Sequence, residues 1–352
     1  MKKIVFMVGK LGNGGAERVT TVIARYFVTI GYDVHIVVFS NKNDNYISQQ
    51  MGKIHYMNSK GNRYIQYLKR MRMLNKFFKV EKPDALISLR CGYSYFAVLG
   101  LFDKYKIIFS ERNDPKTLYK TKSSKTLAEY YYQHASHVVF QTMEAAEFFS
   151  PKVRMHSSVI PNPLMTGLPQ PYTGERSKRI VTYCRLEKQK NLSMLLEAFS
   201  ALHEKHPEYV LEIYGRGSLK ETLEMQAVSL GIQEVVSFLP FNQNIHQVVV
   251  DATMYVNTSD FEGMSNAMIE SMAIGLPVVC TDCPCGGARA CITDHENGLL
   301  VSVGNREGFT RAMLELIESP ETVRKLSQNA VKIRAQLSEE RICKQWDKLI
   351  NA

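Results

Sequence analysis

Two glutamates bracket the start of a predicted helix in the stretch from Tyr255 to Gly287. The apolar run at 254–256 predicts a buried strand, and the polar turn that follows it contains Glu262. Ser265 and Asn266 are the candidate N-caps of the helix, which carries Glu270 in its body. At ~1.5 Å per residue, Glu270 lies about 7 Å along the axis from Ser265. The two carboxylates therefore flank the helix N-terminus.

A helix N-terminus and two carboxylates suit different parts of one ligand. Free backbone N–H groups and the positive end of the helix dipole attract a phosphate, whereas a carboxylate accepts hydrogen bonds from hydroxyls. A phosphate flanked by two polyols describes a nucleotide sugar. An ordinary surface helix with one solvated and one capping glutamate explains the pair equally well, so the pair alone leaves both interpretations open. The candidate phosphate-binding residues are Gly263, Met264, Ser265 and Asn266.

The sequence motif of this stretch reads D-F-E-G-x-S-N-A-x-x-E-x-M-A-x-G-x-P-V-V. The motif resembles the E-x7-E signature of retaining glycosyltransferases of family 4. That family has the GT-B fold. The resemblance implies an α/β chain of two Rossmann-like, doubly wound domains that face a central cleft, with the donor held mainly by the C-terminal domain. It also implies that Glu262 hydrogen-bonds the sugar hydroxyls and that Glu270 holds the ribose diol.

A second pair of charged residues follows the predicted strand Ile180–Cys184. Arg185 and Lys190 stand before a predicted helix at 192–203, so they share the strand's carboxyl end and could converge on a diphosphate. Solvated loop charge is the alternative. R-L-x-x-x-K-N resembles the Arg/Lys pair that holds the diphosphate in the family. Cys184 stands where glycine is common before that Arg.

Two further strand ends contribute candidate binding residues. Gly215 follows the predicted strand Leu211–Tyr214, and Phe241 follows the predicted strand Val235–Leu239. In the family, the second of these loops lies beside the nucleotide base, so its backbone groups are expected to read uracil. Ala290 stands where relatives often carry glutamate.

The N-terminal region opens on a buried strand at 4–8 and a glycine-rich loop that leads into a helix ending near Ile30. A dinucleotide fingerprint would need a third glycine where Glu17 stands, and an acid near Asn41, after the next strand. The sequence lacks both the third glycine and the acidic residue, which argues against an NAD-binding site. N-G-G-A-E-R, with Gly14 and Gly15, resembles the amino-terminal loop of the family, which approaches the donor diphosphate and the acceptor.

The predicted strand Lys106–Ser110 is followed directly by Glu111 and Arg112. Many relatives carry a histidine here that contacts the donor sugar, and Glu111 is the candidate in its place. A surface ion pair between Glu111 and Arg112 is an equally good explanation. His134 and His137 stand too far along the chain to substitute for the family histidine.

Charge is divided unevenly along the 352 residues, whose net charge is +10. Residues 1–163 contain 25 Lys and Arg against 11 Asp and Glu, a net charge of +14, whereas residues 164–352 contain 19 against 23, a net charge of −4. No nucleic-acid-binding motif is present, so an anionic membrane surface or a phosphorylated acceptor is the expected partner. The basic helix predicted at 63–78 is either an interfacial helix or an ordinary core-packed one.

The seven cysteines are odd in number and scattered, which indicates a reducing compartment. Cys280-x-x-Cys283-x-Cys285 with Cys291 is a minor candidate for a zinc or redox site, because no second pair completes a tetrahedral set. No apolar run reaches the ~18 residues of a membrane span, and no cleavable signal pattern is present. The sequence therefore predicts a cytoplasmic protein, with peripheral attachment to the inner face of the plasma membrane as the second option.

The sequence predicts a domain at 1–163, a linker at 164–178, a nucleotide-sugar-binding domain at 179–337, and a C-terminal helix at 338–352 that returns to the first domain. The resemblance implies transfer of a hexosyl or N-acetylhexosaminyl unit from a UDP-sugar to a lipid-linked or polysaccharide acceptor, with retention. No cofactor is expected, and no metal, since the C-terminal half lacks a D-x-D motif. The rivals are a UDP-sugar epimerase of the same fold and a non-catalytic binding module at the membrane; a dehydrogenase is the least favoured.

Overall fold

The computed structural model describes residues 1–12, 14–40, 51–89 and 93–352. Asn13 and Asn41, which the sequence analysis used, lie outside these residues. The chain divides into two compact units, the first formed by Met1–Pro163 with Glu339–Ala352 and the second by Leu164–Ser338.

The first unit is built on a parallel sheet whose strands are rich in Val, Ile, Leu and Phe. Strand β1 is buried from Ile4 to Val8, which is the near-continuous apolar run that a sheet covered on both faces requires. In the described residues the sheet has seven strands in the order β3-β2-β1-β4-β5-β6-β7. The strands are β1 (Lys3–Val8), β2 (Asp33–Val38), β3 (Lys53–Tyr56), β4 (Ala85–Leu89), β5 (Lys106–Ser110), β6 (His137–Phe140) and β7 (Ser157–Val159).

In the described residues, helices follow β1 and each strand from β3 to β6, as parallel pairing demands. The helices are α1 (Gly15–Thr29), α2 (Arg63–Glu81), α3 (Tyr93–Val98), α4 (Pro115–Leu118), α5 (Lys122–His134), α6 (Met143–Glu147) and α7 (Pro151–Arg154).

The second unit repeats the parallel α/β design. Its described strands form a six-stranded sheet in the order β10-β9-β8-β11-β12-β13. The strands are β8 (Ser177–Tyr183), β9 (Val210–Tyr214), β10 (Val236–Leu239), β11 (Ala252–Asn257), β12 (Val278–Asp282) and β13 (Leu299–Ser302). The helices are α8 (Leu192–His203), α9 (Lys220–Ser229), α10 (Ile245–Val249), α11 (Asn266–Ala273), α12 (Arg306–Glu318), α13 (Pro320–Ala330) and α14 (Ile333–Gln336).

The last helix, α15 (Glu339–Asn351), belongs to the first unit and packs on α1. Arg25 of α1 donates to Glu339 at 2.7 Å, and the hydroxyl of Tyr32 donates to Asp347 at 2.6 Å. Trp346 is fully buried, and the guanidinium of Arg112 lies 5.3 Å from its ring centroid. The C-terminal residues therefore complete the core of the unit that the N-terminus begins.

The α/β, doubly wound fold class predicted from the sequence is confirmed, and most element positions with it. Two short edge strands, β7 and β13, were not predicted; each pairs with one neighbour, and β7 consists of Ser-Ser-Val, which carries little strand signal. The helical residues near the end of the second unit form two helices, since α13 ends at Ala330 and α14 begins at Ile333. No helix in the described part of the chain is long and apolar enough to cross a membrane.

Candidate functional site

Lys190 and Glu262 form an ion pair at the carboxyl edge of the second unit's sheet. Lys190 follows β8 and Glu262 follows β11, and these strands are neighbours, so their loops meet. The Nζ atom of Lys190 lies 2.7 Å from Oε1 and 2.6 Å from Oε2 of Glu262. The structure thus brings together two of the residues that the sequence predicted for one site, and it sets a lysine charge on a carboxylate with little solvent around either.

Glu262 is held by further polar groups of its own loop. The hydroxyl of Ser259 lies 2.8 Å from Oε2, and the hydroxyl of Thr258 donates to the backbone oxygen of Lys190 at 2.9 Å. Burial would raise the pKa of Glu262, but the Lys190 charge and the hydrogen bonds from Lys190, Ser259 and Asn257 outweigh it and lower that pKa below its usual value. Glu262 is therefore a fixed, ionised acceptor.

Arg185 occupies a different setting from Lys190. Its side chain is exposed, and its Nη2 donates to Oε1 of Gln189 at 3.1 Å. Gln189 in turn donates to the backbone oxygen of Phe261 at 2.8 Å. Arg185 is thus linked through Gln189 to the loop that carries Glu262, with its charge directed toward solvent rather than toward a carboxylate.

The N-terminus of α11 lies directly after Glu262. Of the two candidate caps, Ser265 is the N-cap and Asn266 is the first helical residue; the Ser265 hydroxyl accepts from the backbone N–H of Met268 at 3.4 Å. Gly263, Met264 and Ser265 are buried, and Asn266 is half-buried. Gly275, at φ +72°, ends the helix in the left-handed conformation that favours glycine. The strand-loop-helix arrangement predicted around the two glutamates is confirmed.

Close backbone packing explains two glycines at this edge. A Cβ on Gly287 would lie 1.8 Å from the backbone oxygen of Gly263, so the glycine loop after β12 rests directly on the turn before α11. A Cβ on Gly215 would lie 1.8 Å from the backbone oxygen of Cys184, and Gly215 itself has φ +153°. Gly215 is therefore required by packing between the loops after β8 and β9.

Glu270 is buried, with 1% of its surface exposed, and is held by a histidine that the sequence analysis did not single out. Nε2 of His246 lies 2.9 Å from Oε2 of Glu270. The Tyr183 ring, from the end of β8, meets the His246 ring edge-on at a centroid distance of 5.8 Å. His246 belongs to α10, which follows the loop containing half-buried Phe241. No spacing rule links residues 246 and 270, so only the fold reveals this pair.

In the first unit, the glycine-rich loop leads into α1 as predicted. Gly14 is the N-cap residue of that helix and Gly15 is its first residue. The Glu17 carboxylate folds back over the cap, because a Cβ on Gly14 would lie 2.0 Å from Glu17 Oε2. An acidic side chain of the helix's own first turn therefore covers the loop where an anion was expected to approach.

Glu111 is also buried, with 1% of its surface exposed. Its Oε2 accepts from the hydroxyls of Tyr119 and Tyr132 at 2.9 and 3.0 Å, and its Oε1 accepts from the backbone N–H of Arg112 at 3.0 Å. The alternative of a surface ion pair with Arg112 is wrong. The Arg112 side chain turns instead to Ser110 and Asn162.

The zinc alternative finds no support in the structure. The described residues, which include all of 280–291, contain no group of three His, Cys, Asp or Glu side chains that could hold a metal ion. Burial raises the pKa of both Cys283 and Cys291 to about 12, so these thiols remain protonated at neutral pH. Cys283 donates to the backbone oxygen of Ser259 at 3.1 Å and so supports the Glu262 loop.

The region of the chain that contains this edge is similar to known proteins. Residues 170–333 match the model of a family described as glycosyl transferases group 1. The match lies within the second unit and includes Lys190, Glu262, His246 and Glu270. A glycosyltransferase is thereby supported as the class of enzyme.

Two full-length relatives agree with this assignment. An uncharacterized glycosyltransferase of Haemophilus influenzae is 26% identical, covering 98% of this chain and 99% of the relative. A Campylobacter jejuni protein is also 26% identical, covering 96% of this chain and 95% of the relative. The latter is named N-acetylgalactosamine-N,N'-diacetylbacillosaminyl-diphospho-undecaprenol 4-alpha-N-acetylgalactosaminyltransferase.

The solved structure of Anabaena HepE in complex with UDP-glucose has a TM-score of 0.86 with this chain at 17% identity, and the alignment covers 100% of both chains. The Staphylococcus aureus protein TarM gives a TM-score of 0.82 at 15% identity, covering 100% of this chain and 99% of that one. These similarities establish the GT-B fold class for the chain.

Proposed function

We propose that this protein is a retaining glycosyltransferase that moves a hexosyl or N-acetylhexosaminyl unit from a UDP-sugar to a hydroxyl of a lipid-linked or polysaccharide acceptor. The observation that carries the proposal is the Lys190–Glu262 pair beside the N-terminus of α11, inside the region that matches the glycosyl transferase family. The C. jejuni relative, named for transfer to a diphospho-undecaprenol-linked sugar, supports the acceptor class. The UDP-glucose complex of HepE supports the donor class.

Different residues at this edge bind different parts of the donor. The N–H groups at the start of α11 and the charges of Arg185 and Lys190 bind the diphosphate. A lysine has three N–H donors, so two bonds to Glu262 leave capacity for a phosphate oxygen. Glu262 accepts from the sugar hydroxyls. Glu270 holds the ribose, and the loop at Phe241 lies beside the base.

In the proposed reaction the bond from the anomeric carbon to the diphosphate oxygen breaks as the acceptor oxygen bonds to the same face of that carbon. The acceptor proton passes to the leaving phosphate oxygen, so no protein nucleophile is needed. Arg185 and Lys190 stabilise the negative charge that grows on the diphosphate. Glu111 is a first-unit candidate for this reaction; its burial under two tyrosine hydroxyls favours a supporting role over direct contact with the donor.

UDP release tests the proposal. Purified protein is given a panel of UDP-sugars with and without a lipid extract, as wild type and as Glu262→Ala. We expect release from one donor that depends on the lipid extract and is lost in the variant. Donor turnover without acceptor would instead indicate the epimerase, and absence of release from every UDP-sugar would overturn the proposal. Release should persist in EDTA, and its loss there would contradict catalysis without a metal ion.

The basic first unit supports an anionic membrane surface as a partner. On α2, Tyr64 and Leu68 are one turn apart and 72% and 40% exposed, and Ile65 beside them is 42% exposed. Arg63, Lys69 and Arg72 belong to the same helix. Exposed aromatic and aliphatic side chains among basic ones suit the headgroup region of an anionic bilayer.

Vesicle flotation tests this partner. We expect the protein to float with vesicles of phosphatidylglycerol and phosphatidylcholine but not with phosphatidylcholine alone, and Leu68→Glu to weaken flotation. Val228→Glu is a matched control, since Val228 is exposed on α9 in the second unit. Equal binding of wild type and Leu68→Glu would contradict the proposed surface.

A further inference from the structure

We propose that His246 is a positioning residue for the donor's ribose, acting through Glu270. This inference rests on the proposed function, because it concerns how the same site holds a nucleotide. It starts from a contact that the sequence analysis did not anticipate, the 2.9 Å approach of His246 Nε2 to Glu270 Oε2. Both residues are almost completely buried, at 4% and 1% exposure.

With Glu270 ionised, the direction of the hydrogen bond in this pair follows. An ionised carboxylate only accepts hydrogen bonds, so the proton of this contact belongs to His246 Nε2, which donates to Glu270. A carboxylate buried this deeply is costly unless it receives such bonds. The ribose hydroxyls that Glu270 is proposed to hold would donate to the same carboxylate.

The surroundings fix the two side chains relative to each other. The Tyr183 hydroxyl lies 2.8 Å from the backbone oxygen of Ala267 and 2.7 Å from Ser271 Oγ, both on α11, while its ring meets His246 edge-on. Tyr183 therefore ties β8, α10 and α11 into one buried cluster. Within it, the imidazole sets the rotation of the Glu270 carboxyl group.

The placement of His246 connects two parts of the nucleotide site. Helix α10 begins at Ile245, directly after the loop at 240–244 that is expected beside the base. Glu270 lies on the helix whose N-terminus is expected to hold the diphosphate. The bond from His246 to Glu270 therefore connects the base-side helix directly to the ribose-side carboxylate.

The sharpest test compares UDP with 2′,3′-dideoxy-UDP, which lacks the two hydroxyls that Glu270 would bind. Dissociation constants are measured by calorimetry for wild type, His246→Gln and His246→Asn. The Gln amide nitrogen reaches about as far as the ring Nε2, whereas the Asn amide falls one methylene short. The two variants therefore differ chiefly in whether a donor reaches Glu270.

We expect wild type to bind UDP at least about tenfold more tightly than the dideoxy analogue, the ratio typical of hydrogen bonds to a charged group. His246→Gln should keep that ratio, and His246→Asn should reduce it to about twofold. His203→Asn is the control, since His203 lies at the far end of α8 with its ring on a backbone oxygen. A merely structural role for His246 would lower the melting temperature without changing the ratio.

The outcomes separate this inference from the proposed function. A full ratio in His246→Asn, or a wild type that binds both nucleotides equally, would overturn the role of His246 while leaving UDP binding in place. A wild type that binds neither nucleotide would overturn the UDP-sugar proposal and this inference together. Loss of the ratio in His246→Asn with rescue in His246→Gln would establish the positioning role.

Discussion

Two glutamates, one in each unit, follow parallel strands and have different kinds of partner: Glu111 is buried and Glu262 is half-buried. Glu262 of the second unit has both carboxylate oxygens on the ammonium group of Lys190. Glu111 of the first unit accepts from neutral donors, the hydroxyls of Tyr119 and Tyr132 and a backbone N–H. The same residue type at equivalent ends of two sheets thus accepts directly from an ammonium group in one case, and from two hydroxyls and a backbone N–H in the other.

The difference in partners determines what each carboxylate can do. Lys190 and the surrounding donors keep the pKa of Glu262 low despite its burial, so a full negative charge is available beside the start of α11. Around Glu111, the pKa of a neighbouring tyrosine is shifted instead. Burial, followed by the Glu111 charge, raises the pKa of Tyr132 well above its usual value, so the hydroxyl keeps the proton it donates. The first arrangement suits binding and catalysis, and the second suits a fixed core.

The largest expected effect comes from Glu262→Gln, which leaves the Lys190 charge without its counter-charge. We expect glycosyl transfer to fall by about 100-fold or more, as when one electrostatic group is removed from an active site. The free energy of unfolding should fall by about 3 kcal/mol, because one partner of a largely buried ion pair is removed. UDP release and thermal denaturation measure the two effects.

Glu212→Gln is the matched control for that change. Glu212 pairs with Arg179 at 2.9 Å in the same unit, on strands β9 and β8 rather than in the loops at the edge. Its loss should destabilise the protein while transfer stays within about threefold of wild type. Equal loss of transfer in both variants would mean that Glu262 acts through stability alone.

A smaller effect is expected from Tyr132→Phe, which removes a buried donor from Glu111. The free energy of unfolding should fall by about 1–3 kcal/mol, the cost of leaving a buried acceptor short of a hydrogen bond. Tyr130→Phe is the control, since Tyr130 lies on the same helix, α5, and is 50% exposed. Denaturant unfolding compares the two. If both variants had the same stability, the tyrosine hydroxyl would not be supporting Glu111.

The sequence was sufficient where a local pattern determines local structure. The strand-turn-helix pattern around Glu262 and the cap at Ser265, one of two candidates, each depend on residues within one short stretch, and each is present in the structure. Apolar runs likewise predicted the central strands, because both faces of a parallel sheet must be buried. Edge strands such as β7 carry weaker patterns and were missed.

The partners of the candidate residues could not be predicted, because they come from distant positions. Lys190 and Glu262 are 72 residues apart, and His246 and Glu270 are 24 apart. The parallel fold explains why the first pair shares an edge, but neither pair's direct contact follows from spacing. The alternative of a surface ion pair between Glu111 and Arg112 was wrong for the same reason, since tyrosines from later segments donate to the buried carboxylate.

The smallest expected effect is a pH dependence that the first unit contributes. Burial lowers the pKa of His55, with the charges of His35 and Lys53 adding to it, and burial together with His156 and Lys106 lowers the pKa of His137. The unfolded chain takes up these protons near pH 6.5, whereas the folded protein takes them up only at lower pH. Stability is therefore greatest above pH 6.5 and decreases as the pH falls below it.

Melting temperatures between pH 5 and 8 measure this dependence, and the double variant His55→Gln/His137→Gln should show a shallower decrease. A decrease as steep as in wild type would place the acid sensitivity outside these two half-buried histidines.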